Sequence, residues 1–173
     1  MDKTIRFYFG SLGTARGRVS VVDGDITDDD LADKLSDHGF GTIINTAAIV
    51  KHFTSDDSMD RVNTGGVANI ISLAERRSAR VIHVSTVSVA GQASAEAVRG
   101  GLCLHENELC IGQNVDNAYT RTKYNSEKLM LDAISRGLDG KIVRPGNIMP
   151  RTSDGRFQIN YDANNFATVL DSV

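Results

Sequence analysis

A chain of 173 residues with 40% hydrophobic and 24% charged positions has the makeup of one ordinary globular domain, which excludes a disordered segment, collagen and a coiled coil. Nineteen Lys and Arg against 22 Asp and Glu leave a formal net charge of -3, so no basic field is available for nucleic-acid phosphates or an anionic membrane. With two cysteines, Cys103 and Cys110, no arginine-flanked apolar leader and no window near the roughly 18 apolar residues of a membrane helix, the chain is expected to be soluble and cytoplasmic.

Short β-branched runs alternate with amphipathic helices, the pattern of an α/β domain with a mostly parallel sheet. Arg18 to Asp25 (RVSVVDGD) reads as the first strand, and Asp28 to Ser36 as a short helix capped by Asp or Thr. Gly41 to Ala48 (GTIINTAA) is a second strand. A long helix follows over Asp57 to Arg77, with Val62, Val67, Ile70, Ile71 and Ala74 at helical spacing. Ala79 to Ser85 (ARVIHVS) is a third strand, and all three are nearly continuous apolar runs, as expected when helices cover both faces of a sheet. The connection from Val87 to Asp116 is long, mixed and rich in Gly, Ala, Ser and acids, and loops of that length tend to carry function. Asn117 to Arg136 is a helix with Lys123, Glu127 and Lys128 on its polar side. Gly140 to Arg144 is the last strand, closed by Pro145 and Gly146, and the alternation is lost from Pro150.

Tyr119-Thr-Arg-Thr-Lys123 carries the sharpest chemistry, because a four-residue separation stacks phenol and ammonium on one helix face. A cation beside a phenol near pKa 10 stabilises the phenolate and brings the group closer to useful acid-base range. The pair alone is a weak signal, since many helices half-bury a Tyr and leave a Lys solvated. Ser85 and Thr86 end a strand where side chains of parallel sheets face the ligand crevice, although such hydroxyls also commonly cap the following turn. Asn45-Thr-Ala-Ala48 closes another strand with small residues suited to a flat ligand, and Gly24-Asp25-Ile26 closes the first. Asn63, followed by Gly65 and Gly66, is a locally weak stretch inside a helix, of the kind retained for packing or function.

In chain order, GDIT, NTAA, the helix asparagine, VSTVSVAG, YxxxK and RPGNI resemble the extended short-chain dehydrogenase/reductase family. The closer similarity is to its thioester reductase branch, the NAD-binding domains of male sterility type found as terminal reductases of nonribosomal peptide synthetases and in carboxylic acid reductases. Gly112-Gln113 ahead of Asn117-Ala-Tyr119-Thr-Arg-Thr-Lys123-Tyr, and Arg144-Pro-Gly-Asn-Ile-Met-Pro-Arg151-Thr-Ser-Asp-Gly155-Arg-Phe-Gln158, carry that likeness, which spans about Tyr8 to Phe166. The resemblance implies Tyr119 as the acid that protonates the oxyanion, Lys123 as the holder of the nicotinamide ribose that lowers the Tyr pKa, and Thr86 as the hydroxyl on the substrate carbonyl. It places Asp25 and Ile26 against adenine, Ala47 and Ala48 under the phosphates or ribose, Ser85 at the cofactor, and Pro145, Gly146, Asn147 and Ile148 along the nicotinamide. Asn63 is implied as support for the site. The implied activity is reduction of a thioester on a phosphopantetheinyl carrier domain to an aldehyde or alcohol, with NADPH, or alternatively NADH, as donor and an adenylation domain in the same protein. Alternatives are a reductase or sugar-nucleotide epimerase for a free substrate, and a catalytically inactive folded fragment.

Measured against that family, the expected fold is a partial Rossmann-type doubly wound parallel sheet lacking the first two strands and the Gly-rich phosphate loop. Gly10-Ser-Leu-Gly13-Thr-Ala-Arg-Gly17 follows apolar Ile5 to Phe9, but Arg18 starts the next strand at once, leaving no room for the roughly 10 residues of a phosphate-binding helix. Met1 to Phe9 is therefore expected to end a helix and Gly10 to Gly17 to be a loop. Residues 1–158 are expected to form an incomplete NAD(P)-binding domain, residues 159–173 the start of a truncated substrate-binding region, and the isolated chain to be inactive. The strand at Val19 to Val22 is expected to dock beside Thr42 to Asn45, or another chain to fill the gap, making a homodimer through the exposed sheet edge a secondary expectation. Cys103, His105 and Cys110 are one ligand short of a zinc site and match no finger spacing, so no metal is expected. His52 reads as a polar loop residue near the crevice, and nothing in the sequence singles out His38 or His83.

Overall fold

The structure, a computed structural model, describes residues 2–10, 17–50, 57–91, 99–100 and 105–159. His52, Cys103, most of the expected glycine loop and the expected region 159–173 beyond Ile159 lie outside the described residues. The chain divides into two compact units, one comprising Val22–Gly146 and the other Met1–Val21 with Asn147–Val173.

In the second of these, α1 (Asp2–Phe9) is the helix expected at the start of the chain. Its C-terminal carbonyls are met by two guanidinium groups, Arg156 donating to the Phe7 carbonyl at 2.7 Å and Arg151 to the Tyr8 carbonyl at 3.3 Å. Cations are favoured there because the last carbonyls of a helix have no partner within it. Both arginines come from the Arg151 to Arg156 string, a tight turn closed by Gly155 N–H on the Arg151 carbonyl at 2.8 Å, with Gly155 at φ +68. Asp154 ion-pairs with both arginines, and the Arg151 bond above all holds its carboxyl down at about 2.

Val22–Gly146 contains a three-stranded parallel sheet in the order β1 (Thr42–Asn45), β2 (Arg80–Val84), β3 (Gly140–Val143). Asn45 lies opposite His83, and His83 opposite Ile142. Between the strands run α2 (Leu31–Lys34), α3 (Ser58–Asp60), a π-helical turn (Arg61–Gly65), α4 (Gly66–Arg77), a 3-10 turn (Val87–Ala90) and α5 (Ala118–Ser135). Helices α4 and α5 pack on one sheet face, where Val67, Ile70, Ile71, Ala74, Met130 and Ala133 meet Val81 and Ile142. The opposite face is open among the described residues, with Ile44 63% and Val143 40% exposed. Apolar strands covered on both faces were expected; the covering here is one-sided, because both packed helices lie over the same row of side chains.

The first expected strand, Arg18 to Asp25, is not a strand. It spans the boundary between the units, no strand of the sheet pairs with it, and Val19, Val21 and Val22 are exposed. It therefore does not dock beside β1, whose only partner among the described residues is β2. A β-branched run makes a strand only where a neighbour satisfies its backbone, and propensity alone supplies none. Helix α2 is also shorter than expected and Asp30 at its start makes no side-chain cap bond. The Asp25 carboxylate is committed instead to Thr27, accepting from its N–H at 2.8 Å and its hydroxyl at 2.9 Å.

Helix α4 ends on Ser78, whose φ of 51 is left-handed, while Ala79 N–H closes back on the Ala74 carbonyl at 2.9 Å. That conformation suits glycine and costs a residue with a Cβ about 1 kcal/mol or more. Ser78→Gly is expected to stabilise the chain by roughly 0.5 kcal/mol after the entropy of glycine is counted, and Ser78→Val to destabilise it by about 1 kcal/mol. Urea unfolding of the two variants checks the opposite signs.

Candidate active site at the strand ends

The carboxyl ends of β2 and β3 are tied by Ser85 N–H on the Val143 carbonyl at 2.8 Å and Val87 N–H on the Pro145 carbonyl at 3.1 Å. Thr86 lies between those bonds with extended backbone and starts the 3-10 turn, its hydroxyl accepting from Ser88 N–H at 3.2 Å. Opposite stands the first turn of α5, where Asn117 caps the helix by accepting from Thr120 N–H at 3.2 Å. This brings Tyr119 to Thr86, and their side chains are hydrogen-bonded. Burial raises the Tyr119 phenol above its ordinary 10.0, with the Thr86 bond opposing, so Tyr119 holds its proton at neutral pH. A hollow of about 280 Å³ is bordered by Ser88, Gly91, Asn117 and Thr120, residues of the 3-10 turn, its end and the start of α5.

One turn further on, Lys123 is 3% exposed and donates to the Val84 carbonyl at 2.6 Å. Burial lowers its pKa from 10.5 to about 8, with the Glu127 carboxylate pulling the other way. Glu127, 0% exposed, receives the Arg144 guanidinium, Nε at 3.1 Å from both oxygens and Nη2 at 2.6 Å from Oε2. The remaining Arg144 donors reach the carbonyls of His105 and Glu108 at 2.8 Å each, which fastens the connection before α5 to the end of β3. The inward stripe of α5 is thus Thr122, Lys123, Ser126 and Glu127 before it becomes Met130 and Ala133. Lys123 and Glu127 were expected on the solvated side; only Lys128 is exposed there.

The π-helical turn carries Asn63 into the same layer. Its Oδ1 accepts from Ile49 N–H at 2.7 Å, and its Nδ2 donates to the Ile49 carbonyl and to Thr122 Oγ1, both at 3.0 Å. Ser126 closes the contact by donating to the Asn63 carbonyl at 2.5 Å. Inserted turns of this type frequently mark functional positions, and here the weak Asn63-to-Gly66 stretch fastens the segment after β1 to α5. Gly66 is required for the next contact, since a Cβ there would lie 2.4 Å from Ile26 Cδ1. Asn69, one turn further along α4, donates to the Ile26 carbonyl at 3.0 Å.

Thr86, Tyr119, Lys123, Ser85, Pro145 and Gly146 are therefore gathered at one end of the sheet. Ala47 and Ala48 follow β1, and Ile26, next to Asp25 in the chain, lies against α4 at Gly66. Asn147 and Ile148 fall in the other unit and are exposed. Lys123 does not lower the Tyr119 pKa here: its ammonium is turned to Val84, and burial sets the phenol above its usual value. Sequence reasoning missed Gln113 as a clamp, although it was noted in a string. Its Nε2 donates to the carbonyls of Val89, at 3.0 Å, and Leu109, while its Oε1 accepts from Ile111 N–H at 2.9 Å. Gly91, at φ +60, lets the Asn114 carbonyl come within 2.4 Å of where a Cβ would stand. The Lys123-to-Glu127 spacing on one helix face was a visible signal of the buried ion pair, but nothing in it indicated that the face points inward. Cys110 contacts Tyr124 Oη at 3.1 Å, and among the described residues no cluster of His, Cys, Asp or Glu could hold a metal.

These residues fit the nicotinamide end of a dinucleotide. Ser85 Oγ is buried without a hydrogen-bond partner among the described residues, Gly146 faces open space, and Ala47 is an exposed small residue at a strand end. Ligands of parallel sheets bind at this edge. Fold and site together define an NAD-binding domain of Rossmann type.

The family model described as "Male sterility protein", an NAD-binding family, matches residues 3–170, and the chain belongs to that family. A thiolation-reductase di-domain from an archaeal non-ribosomal peptide synthetase is 36% identical with a TM-score of 0.86, the match covering 99% of this chain and 47% of that one. The reductase domain of the aureusimine biosynthetic cluster is 29% identical with a TM-score of 0.72, covering 96% and 42%. RMD from Pseudomonas aeruginosa, solved with NADPH, is 25% identical with a TM-score of 0.60, covering 76% and 44%. The likeness is thus to the thioester reductase branch of the extended short-chain dehydrogenases/reductases, and the chain spans under half the length of these solved structures. Comparison with curated proteins finds no match. No helix among the described residues is long and apolar enough to cross a membrane.

Because the folded chain releases the Lys123 proton near 8 and the unfolded chain near 10.5, this group makes stability rise with pH across that interval. NMR titration of the lysine side chains is expected to show one amine with a midpoint near 8, absent in Lys123→Met; all lysines titrating near 10.5 would contradict the burial argument.

Proposed function

We propose that this chain forms the catalytic centre of an NADPH-dependent thioester reductase that releases an acyl or peptidyl group from a phosphopantetheinyl carrier domain as an aldehyde or alcohol. The observation that carries this reading is the Thr86–Tyr119 hydroxyl pair standing beside buried Lys123 at the ends of β2 and β3. The 36% identity to a thiolation-reductase di-domain over 99% of the chain supports the carrier-bound substrate. NADPH is the proposed donor, with NADH as the alternative; a 25% identical structure was solved with NADPH.

The dinucleotide, when bound, supplies a hydride to the carbonyl carbon. Thr86 orients the carbonyl oxygen by a hydrogen bond. Tyr119, kept protonated by burial, donates the proton that neutralises the charge gathering on that oxygen. The carbon–sulfur bond then breaks, giving the aldehyde and the carrier thiol. Lys123 holds the cofactor ribose, and the hollow beside Ser88 and Asn117 receives the substrate. Pro145 and Gly146 line the nicotinamide, while Asp25 and Ile26 receive the adenine. An adenylation domain is expected in the same protein, residues 159–173 begin a substrate-binding region, and the protein acts in the cytoplasm. The outer edge of β1, unpaired among the described residues, is offered to a second copy.

NADPH oxidation with an acyl-pantetheine thioester tests this. In the complete protein, Tyr119→Phe is expected to lower kcat about 100-fold or more with NADPH affinity unchanged. Unchanged turnover would remove Tyr119 from the mechanism. The 173-residue chain alone is expected to bind NADPH weakly, and robust turnover by it would contradict that expectation.

A further inference from the structure

His83, which the sequence does not single out, stands on the central strand 1% exposed, directly opposite Asn45. The Asn45 amide has two partners that fix its orientation. Its Oδ1 accepts from Ala47 N–H at 3.2 Å, so its Nδ2 faces His83 Nδ1, at 3.4 Å. An amide NH2 only donates, hence Nδ1 carries the lone pair and the ring proton sits on Nε2. That Nε2 is buried with no partner among the described residues, a cost that an apolar side chain would not incur. The accepting edge of the ring is therefore the part in use. Burial, with Lys123 adding to it, lowers the imidazole pKa from 6.5 to about 3, so Nδ1 stays an acceptor throughout the neutral range.

Two residues beyond Ala47 the chain is gripped again, since Asn63 holds both the N–H and the carbonyl of Ile49. The stretch Thr46 to Ala48 is thus a short span between two buried side-chain clamps, with its exposed positions Thr46 and Ala47 toward solvent. Alanines offer a ligand no polar side chain, so at Ala47 and Ala48 the polar contacts come from the backbone, and affinity depends on that backbone being held in advance.

We propose that His83 is a positioning residue, which through Asn45 sets the Asn45-to-Ala48 backbone for the dinucleotide. This rests on the cofactor reading given above. An asparagine places its Oδ1 where histidine has Nδ1, whereas a glutamine places its oxygen where Nε2 stands, so the two substitutions separate the accepting edge from the rest of the ring. In the complete protein, His83→Gln and His83→Leu are expected to speed amide exchange at Ala47 and to raise KM for NADPH, each about tenfold, with kcat within about twofold of wild type. His83→Asn is expected to keep both near wild type. If His83→Leu fails to fold, the Asn and Gln variants decide the matter between them. Equal behaviour of those two, or a fall in kcat at unchanged KM, would overturn the proposal. Amide exchange needs no cofactor: an intact Ala47 effect in a protein that does not bind NADPH would defeat the cofactor reading and leave the clamp standing.

Discussion

The inward face of α5 is polar for its first two turns, and every part of the site depends on that face being docked on the sheet. Lys123, Glu127 and Arg144 are buried there, and isolated charges in such a place would unfold a small domain. They are tolerated because the carboxylate of Glu127 takes three guanidinium contacts, and the other guanidinium donors and the lysine ammonium end on backbone carbonyls. Removing one partner of such a buried pair typically costs about 3–5 kcal/mol, a large share of the roughly 5–15 kcal/mol that holds a domain together. The pairing specifies one docking of α5, and that docking sets Tyr119 against Thr86.

Around this layer the side-chain amides work as fasteners. Asn63 joins the segment after β1 to α5, Gln113 joins the connection before α5 to the 3-10 turn, and Asn45 joins β1 to β2 through His83. Each amide binds backbone of one element while reaching another. This is a way to build a rigid site from loops that have little apolar surface of their own.

The three ladder strands, the long helices and the gathering of Thr86, Tyr119 and Lys123 were legible because hydrophobic period and motif order are local properties of the chain. Val19 to Val22 shows where locality ends: the β-branched pattern is present, but a strand also needs a neighbour, which no local pattern encodes. Lys123 and Glu127 fail for a related reason. Charged residues are read as solvated by default, and only the tertiary pairing with Arg144, 17 residues further on, turns them inward. His83 looked like one more residue in a strand until its register against Asn45 gave it an acceptor role.

In the proposed function, the polar layer beneath α5 holds the ends of β2 and β3 as the seat of the nicotinamide. A crystal structure of the complete protein with NADPH tests it most directly. The nicotinamide ribose is expected within hydrogen-bonding distance of Lys123 and Tyr119, with the ring against Pro145 and Gly146. A dinucleotide seated elsewhere, with Tyr119 and Lys123 still turned to Thr86 and Val84 and touching no ligand, would contradict it.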